Sequence, residues 1–338
     1  MINPITQDSQ VDARKLHISW FSHWLNQMGI YVLLLFLLAA GVLISSKFAS
    51  PNNLLNILRN ITLLGIVSTG VAFITYSRHY LDISIPSIMA FSGLAAISAQ
   101  SYGIAACLCC GFMAGLTIGL INGYAVGYWR VNPIIWTLAM LFMLDGFLRW
   151  AYSGQQIYPD KDTAAGAFFL NLSQIEVLGF FPLATLLLLI IIAMGQWLLK
   201  YTLFGRQVQL VGSSYEAARL SGVPVKRIVM LTFVLSAFTT SFAGLILTSM
   251  NMQGTFETGL GYEFNAITAV VLGGVNLTGG RGSILGMFGG VLVIGVLLNL
   301  MTLAGLDSFT QMMVKGIVFI TVVSVTTWFA RKSGRIDV

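Results

Sequence analysis

The sequence predicts an all-α membrane protein with about ten transmembrane helices and both termini cytoplasmic. Three observations predict it. Of 338 residues, 57% are hydrophobic and 9% charged, with mean hydropathy +0.84, whereas an ordinary soluble domain carries about 25% charged residues. Apolar runs long enough to cross a bilayer recur along the chain. The basic residues gather at the ends of those runs rather than in a patch or an aromatic-lined groove, so the net charge of +6 speaks for membrane topology and against nucleic-acid binding.

The predicted spans cover residues 28–46, 60–76, 84–100, 104–127, 134–153, 180–199, 228–250, 264–280, 283–304 and 309–330. The first is too long, and lacks the small-residue ending, to be a cleaved signal peptide. The chain divides into a cytoplasmic segment 1–27, a single transmembrane domain 28–330 and a cytoplasmic tail 331–338. With the N-terminus inside and alternating spans, the cytoplasmic side holds Arg14, Lys15, Arg78, Arg130, Lys200, Arg206, Arg219, Lys226, Arg227, Arg281, Arg331, Lys332 and Arg335, which is 13 of the 18 Lys and Arg. That asymmetry sets the orientation. Two loops have substance: Gly154–Gly179 outside and Lys200–Arg227 inside.

Chemistry is hard to find. No phosphate-cradling Gly-x-x-x-x-Gly-Lys-Ser/Thr loop is present, so ATP-driven work needs a motor on another polypeptide. No catalytic triad, paired-carboxylate site or metal spacing appears, and no cofactor is implied. Cys107, Cys109 and Cys110 read as packing residues of one helix, and His17, His23 and His79 are scattered. The clustered glycines Gly273, Gly274, Gly279, Gly280, Gly282, Gly286, Gly289 and Gly290 read as close helix packing.

One inner stretch is shaped more deliberately. Ser213 followed by Glu216 forms a capping-box pattern, Ala217, Ala218, Arg219 and Leu220 favour helix, and Gly222 with Pro224 ends it. This predicts about two turns of helix in the cytoplasmic loop, serving either as a simple interfacial helix or as a docking peg for a soluble partner.

The same stretch carries a family resemblance. Phe204-Gly-Arg206, Glu216-Ala-Ala-Arg-Leu-Ser-Gly222, Gly261-Tyr-Glu-Phe-Asn-Ala-Ile267, Leu272-Gly-Gly-Val-Asn-Leu-Thr-Gly-Gly-Arg-Gly-Ser283, Asn299 and Lys315-Gly316 resemble the permeases of ribose-type ABC importers. Gly119-Leu-Ile-Asn-Gly123 and Val131–Leu138 extend the likeness to about three-quarters of the chain. The resemblance implies a bacterial inner-membrane subunit that forms the path for a small neutral sugar. The implied partners are a second permease subunit, cytoplasmic ATPase subunits and a periplasmic sugar-binding protein. Ser213, Glu216, Ala217, Ala218, Arg219, Leu220, Ser221 and Gly222 would then form the ATPase-coupling helix. Two departures stand out. His79-Tyr80 and Pro86 occupy the glycine positions of the family's Gly-Gly-Ile-Asp-Leu-Ser-Val-Gly run, and Asp145 stands where arginine is usual.

Polar residues inside the spans are candidates for the translocation path: Asp82, Asn122, Asn265, Thr268 and Asn299. Each also has a plainer reading. Asp82 complements a helix N-terminus, the others hydrogen-bond between helices, and Asp145 pairs with Arg149 one turn on. A branched-chain amino-acid permease and an autonomous secondary transporter are the rival functions. The scarcity of intramembrane acids argues against the latter.

Overall fold

The computed structural model describes residues 29–79, 81–177 and 181–332. The predicted segment 1–27 and residues 333–338 of the predicted tail 331–338, with Arg14, Lys15, His17, His23 and Arg335, lie outside them, as does Tyr80.

Every predicted run contains a helix. In chain order the elements are α1 (Gly29–Ile44), α2 (Pro51–Tyr76), α3 (Ile85–Ser98), α4 (Ile104–Tyr124, extended by a π turn Ala125–Trp129), α5 (Pro133–Ala151) and α6 (Ala164–Asn171). A two-strand hairpin, β1 (Glu176–Val177) with β2 (Phe181–Pro182), precedes α7 (Leu183–Tyr201), α8 (Leu203–Ser213), α9 (Tyr215–Leu220), α10 (Val225–Asn251), α11 (Tyr262–Leu272), α12 (Ile284–Leu303) and α13 (Ser308–Lys332).

Seven of these are long and apolar enough to cross a membrane, and α1, α3 and α11 are shorter apolar helices. The starts follow local chemistry. Ser50 caps α2 ahead of Pro51, Asn132 caps α5 ahead of Pro133, and the Ser283 hydroxyl accepts the Gly286 N–H at 2.9 Å to open α12.

Three boundaries correct the sequence reading. Helix α2 begins at Pro51 rather than at 60, because the Ser50 cap and Pro51 start it earlier and Arg59 is carried inside it. The predicted span 264–280 stops at Leu272, since Gly273 ends α11 and Gly274 turns at φ +81°. The inner loop is mostly helical, as α8 fills the stretch before α9.

Helices α2 and α10 form the central pair. Helix α10 also packs on α3 and α4, and α2 packs in the same way on α11 and α12. Helix α3 pairs with α4 and supports α5, while α11 pairs with α12 and supports α13. The packing is therefore a pseudo-twofold that exchanges α2–α5 with α10–α13.

Glycines set the closest approach. Gly111, Gly115, Gly119, Gly123 and Gly127, one per turn of α4 and its π extension, all face α10. A Cβ at Gly123 would lie 2.6 Å from the Met230 carbonyl oxygen. Gly123→Ala is therefore expected to destabilise the detergent-solubilised protein by about 1–3 kcal/mol, the range for overpacking. Gly146→Ala on α5, where a Cβ meets nothing within 4 Å, should leave the melting temperature unchanged.

The contacts sort the loops into two ends. At one, the Gly280 N–H donates to the Tyr76 carbonyl, Arg130 stacks on Tyr215 and Lys226 on Tyr128. This gathers segments 76–84, 124–133, 200–227 and 273–283. At the other, Asp160 N–H donates to Gln100 Oε1, Ile157 bridges Gly254 and Ser173 N–H donates to Ser249 Oγ. The outer-loop helix α6 lies there, capped by Thr163.

Candidate translocation site and docking helix

Helix α9 is short and capped at both ends. Its N-cap is Ser214, whose hydroxyl accepts the Ala217 N–H at 3.2 Å. This corrects the expected capping box, because Ser213 is the last residue of α8 and cannot turn back on α9. Glu216 instead faces Arg219 at 3.9 Å, an exposed pair of little energetic weight. Gly222 adopts φ +77°, the left-handed stop the sequence predicts. Ala218 is buried beneath the helix, whereas Ala217, Arg219 and Ser221 are exposed and Leu220 is 85% exposed.

The inner loop is fastened to the bundle at Gly212. A Cβ there would lie 1.8 Å from the Tyr76 carbonyl oxygen and 2.5 Å from the Gly280 nitrogen. Three segments thus share one contact: the end of α2, the end of α8 and the glycine turn after α11. Gly279 and Gly280 in that turn have φ +83° and +74°, so they serve as turn residues, not as the helix-packing residues the sequence suggests. Gly273, Gly286 and Gly290 do pack α11 against α12.

Two short helices break the bundle. At 1.5 Å per residue, α3 is roughly 21 Å long and α11 roughly 16 Å, against a hydrocarbon core of about 30 Å. Irregular backbone makes up the difference before each. Gly259, ahead of α11, packs against Met89 partway along α3. Ahead of α3, Ser84 lies level with Asn122 of α4. Such interrupted helices in matching positions of two repeats mark binding sites in transporters.

Asp82 and Asn122 meet at the first of these breaks. Asp82 Oδ1 accepts the Ser84 N–H at 2.8 Å and the Ser84 hydroxyl, Asn122 Nδ2 donates to Ser84 Oγ at 2.9 Å, and Trp136 Nε1 donates to Asn122 Oδ1 at 3.1 Å. The Ile83 N–H donates to Thr137 Oγ1 at 3.0 Å. Asp82 therefore turns the entry to α3, while Ser84 and Ile83 tie that entry to α4 and α5; Asp82 does not cap the α3 N-terminus directly. Its Oδ2 is buried with no protein hydrogen-bond partner among the described residues, a cost to a carboxyl group unless another polar group meets it.

The other candidates lie apart from it. Asn299 makes a reciprocal amide pair with Asn53, at 2.8 and 3.1 Å, that clasps α12 to α2. Thr268 bonds back to the Phe264 carbonyl at 2.6 Å, and Asn265 is buried one turn from the start of α11. Asp145 and Arg149 pair at 2.9 Å as expected, on the open face of α5.

A family model described as "Branched-chain amino acid transport system / permease component" matches residues 53–323. The chain belongs to this permease family. The L-arabinose ABC transporter permease protein AraH of Azospirillum brasilense is 33% identical over 86% of this chain and 85% of its own. The ribose import permease protein RbsC of Bacillus subtilis is 31% identical over 94% and 97%, and AraH of Escherichia coli 31% over 92% and 93%. The chain is thus a multi-pass transport component of the bacterial inner membrane, not an enzyme, with ATP hydrolysis on a separate subunit.

Sequence reading missed several residues of the permease. Trp136 and Thr137 complete the Asp82 cluster beside Ser84, which the family run already places with Asp82, and Asn53 completes the Asn299 clasp. Trp136 and Thr137 stand inside a quoted family run, but nothing in the spacing places them beside Asp82. Removing the clasp leaves a buried amide unpaired, so Asn299→Ala should cost about 1–3 kcal/mol. Asn53→Ala should cost the same, and the double variant less than the sum, read from thermal melts of the four proteins.

Proposed function

We propose that this permease forms the membrane path of an ATP-driven importer for a small, neutral, polyhydroxylated sugar. The observation that carries this is its identity to arabinose and ribose permeases along nearly its whole length. The polar groups at the interrupted helices agree with it. Asn122, Asn265 and Thr268 offer uncharged hydrogen bonding, and Lys315, the basic side chain near the start of α11, is set against the buried Glu263 and so is not free to serve as the fixed charge that would hold a free carboxylate. A zwitterionic amino acid needs such a fixed charge to offset its desolvation. The test is uptake in cells supplied with the matched ATPase and binding protein. Saturable sugar uptake, uninhibited by leucine or isoleucine, is expected, and the reverse competition would assign the chain to amino acids.

In this reading ten helices cross the membrane, with 1–27, the loop 200–227 and the tail 331–338 cytoplasmic and 28–330 as one domain. Arg78, Arg130, Lys200, Arg206, Arg219, Lys226, Arg227 and Arg281 all belong to the end where α8 and α9 lie, which supports placing that end inside. A periplasm-active reporter after Ala167 should be active and one after Ser213 silent; the opposite pattern overturns the orientation. Helix α9 is then the coupling element, offering Ala217, Arg219, Leu220 and Ser221 to the ATPase. The second permease subunit fits the flank of α13, where Phe309, Met312, Met313, Ile317 and Ile320 are mostly exposed and α11 is the main helix packed on it. The binding protein would meet the opposite end, at α6 and the hairpin. Asp82, Asn122, Asn265 and Thr268 are proposed to face the path during the transport cycle, and Asn299 to brace it.

A further inference from the structure

A cavity of about 420 Å3 opens at the basic end of the bundle, between the segment before α3, the π turn of α4, the start of α5, α9 and the start of α10. Its floor is apolar, made by Val126, Val131, Val225 and Val229, and its polar wall is His79, Arg130, Asn132 and Tyr215. Among the described residues, none with an acidic side chain lines it. Asp82, three residues after His79, is engaged with Ser84, and Glu216, next to Tyr215, faces Arg219.

The guanidinium of Arg130 lies 5.2 Å from the Tyr215 ring centroid and is exposed, so its donors are open to an anion. His79 Nδ1 is 2.7 Å from the Ser77 carbonyl oxygen. A carbonyl only accepts, so Nδ1 carries the proton and Nε2 presents a lone pair. Burial holds the imidazole below its ordinary pKa, in keeping with that neutral form. Asn132 spends Oδ1 on the N–H groups of Ile134 and Ile135, which leaves its amide donors for a ligand. The wall thus offers a cation, an acceptor and a donor above an apolar floor.

Aromatic rings stand on and next to the π turn that lines the cavity. Tyr124 stacks on Tyr128, and Trp129 lies 5.9 Å from Trp136. Trp129 is 62% exposed and Tyr124 is 47% exposed on the outside of the bundle. Exposed aromatic side chains beside basic ones mark the headgroup level of a bilayer, so this cavity opens where lipid headgroups lie.

We propose that the cavity binds one anionic phospholipid with a hydroxylated headgroup, of the phosphatidylglycerol type. Arg130 holds the phosphodiester, His79 Nε2 accepts a headgroup hydroxyl, Asn132 donates to another oxygen, and the valine floor takes the glycerol end of the acyl chains. Because Arg130 and Tyr215 form one side of the site, the bound lipid braces the base of α9. That last consequence rests on α9 being the coupling helix; the lipid site itself does not.

The test is fluorescence quenching of Trp129 in the purified importer, titrated with dibrominated lipids and corrected with a Trp129→Phe variant. Dibrominated phosphatidylglycerol should quench at lower mole fraction than dibrominated phosphatidylcholine, by about fivefold if one basic side chain provides the preference. Arg130→Gln should remove the preference and Arg130→Lys should keep most of it. Dibrominated phosphatidylmethanol, a phosphodiester without the glycerol hydroxyls, needs no variant and should bind between the two. Equal quenching by all three lipids overturns the site, as does a preference unchanged in Arg130→Gln. Displacement of the lipid by millimolar inorganic phosphate would assign the cavity to a soluble anion and overturn the lipid. Sugar uptake is not a readout here, so a wrong transport assignment leaves these outcomes unaffected.

Discussion

With glutamate in place of Ala217, the permease is expected to insert normally but to lose its ATPase subunits on purification, with import at background. Helix α9 is only six residues long, so its outward surface consists of few groups. Ala218 holds it to the bundle, and Ala217, Arg219 and Leu220 are left to face a partner. A carboxylate at 217 would stand next to Glu216 and enter the interface with no cation assigned to it. An uncompensated charge buried at an interface costs about 3–5 kcal/mol, enough to lower affinity more than a hundredfold. Ser214→Ala, which only loosens the N-cap, should cost about 1 kcal/mol of helix stability and leave partial uptake. Full co-purification and unchanged uptake by the Ala217→Glu variant would remove α9 from the coupling role.

Gly212→Val is expected to be the most damaging change in the loop that touches no partner. The new side chain would displace the Tyr76 carbonyl and the Gly280 N–H, which bond each other at 3.0 Å. Both ends of that bond belong to elements next to the interrupted helices, since Tyr76 ends α2 ahead of α3 and Gly280 lies in the turn after α11. The junction thus joins the inner loop to both repeats, and prying it apart should uncouple them. Uptake should fall at least about tenfold, with a destabilisation in the 1–3 kcal/mol range for overpacking, while the ATPase remains bound. Gly222→Ala is the useful contrast. A Cβ there meets nothing within 4 Å, but φ +77° strains any side chain. Its effect should be confined to the end of α9, at about 1 kcal/mol. Comparable losses of uptake in the two variants would mean that Gly212 matters only to the local loop.

Much of the architecture is legible in residue order because the bilayer is a severe filter. Apolar runs of about 20 residues have few alternatives to crossing it as helices. The apolar runs therefore locate the helices, the basic residues suggest the sides, and Gly222 and Pro224 end α9 where the sequence predicts. The family was legible too, because runs such as Glu216–Gly222 and Leu272–Ser283 are long enough to be specific.

The candidate site was legible only in part. Asp82 and Asn122 stand out as polar residues in apolar surroundings, yet their shared partner Ser84 and the indole of Trp136 do not. Asn299 stands out equally and is tied to Asn53, 246 residues away in sequence.

The sequence by itself determined that this chain is a helical membrane permease, where its long apolar helices lie and that it carries a short capped helix between α7 and α10. Those features follow from local composition and from capping groups within a few residues of one another. Tertiary structure alone decided that Ser214 rather than Ser213 is the cap, that α11 stops at Leu272, that two repeats pair around α2 and α10, and that Gly212, Tyr76 and Gly280 share one contact. Each depends on which backbones approach within van der Waals distance, and side chains far apart in sequence set that approach.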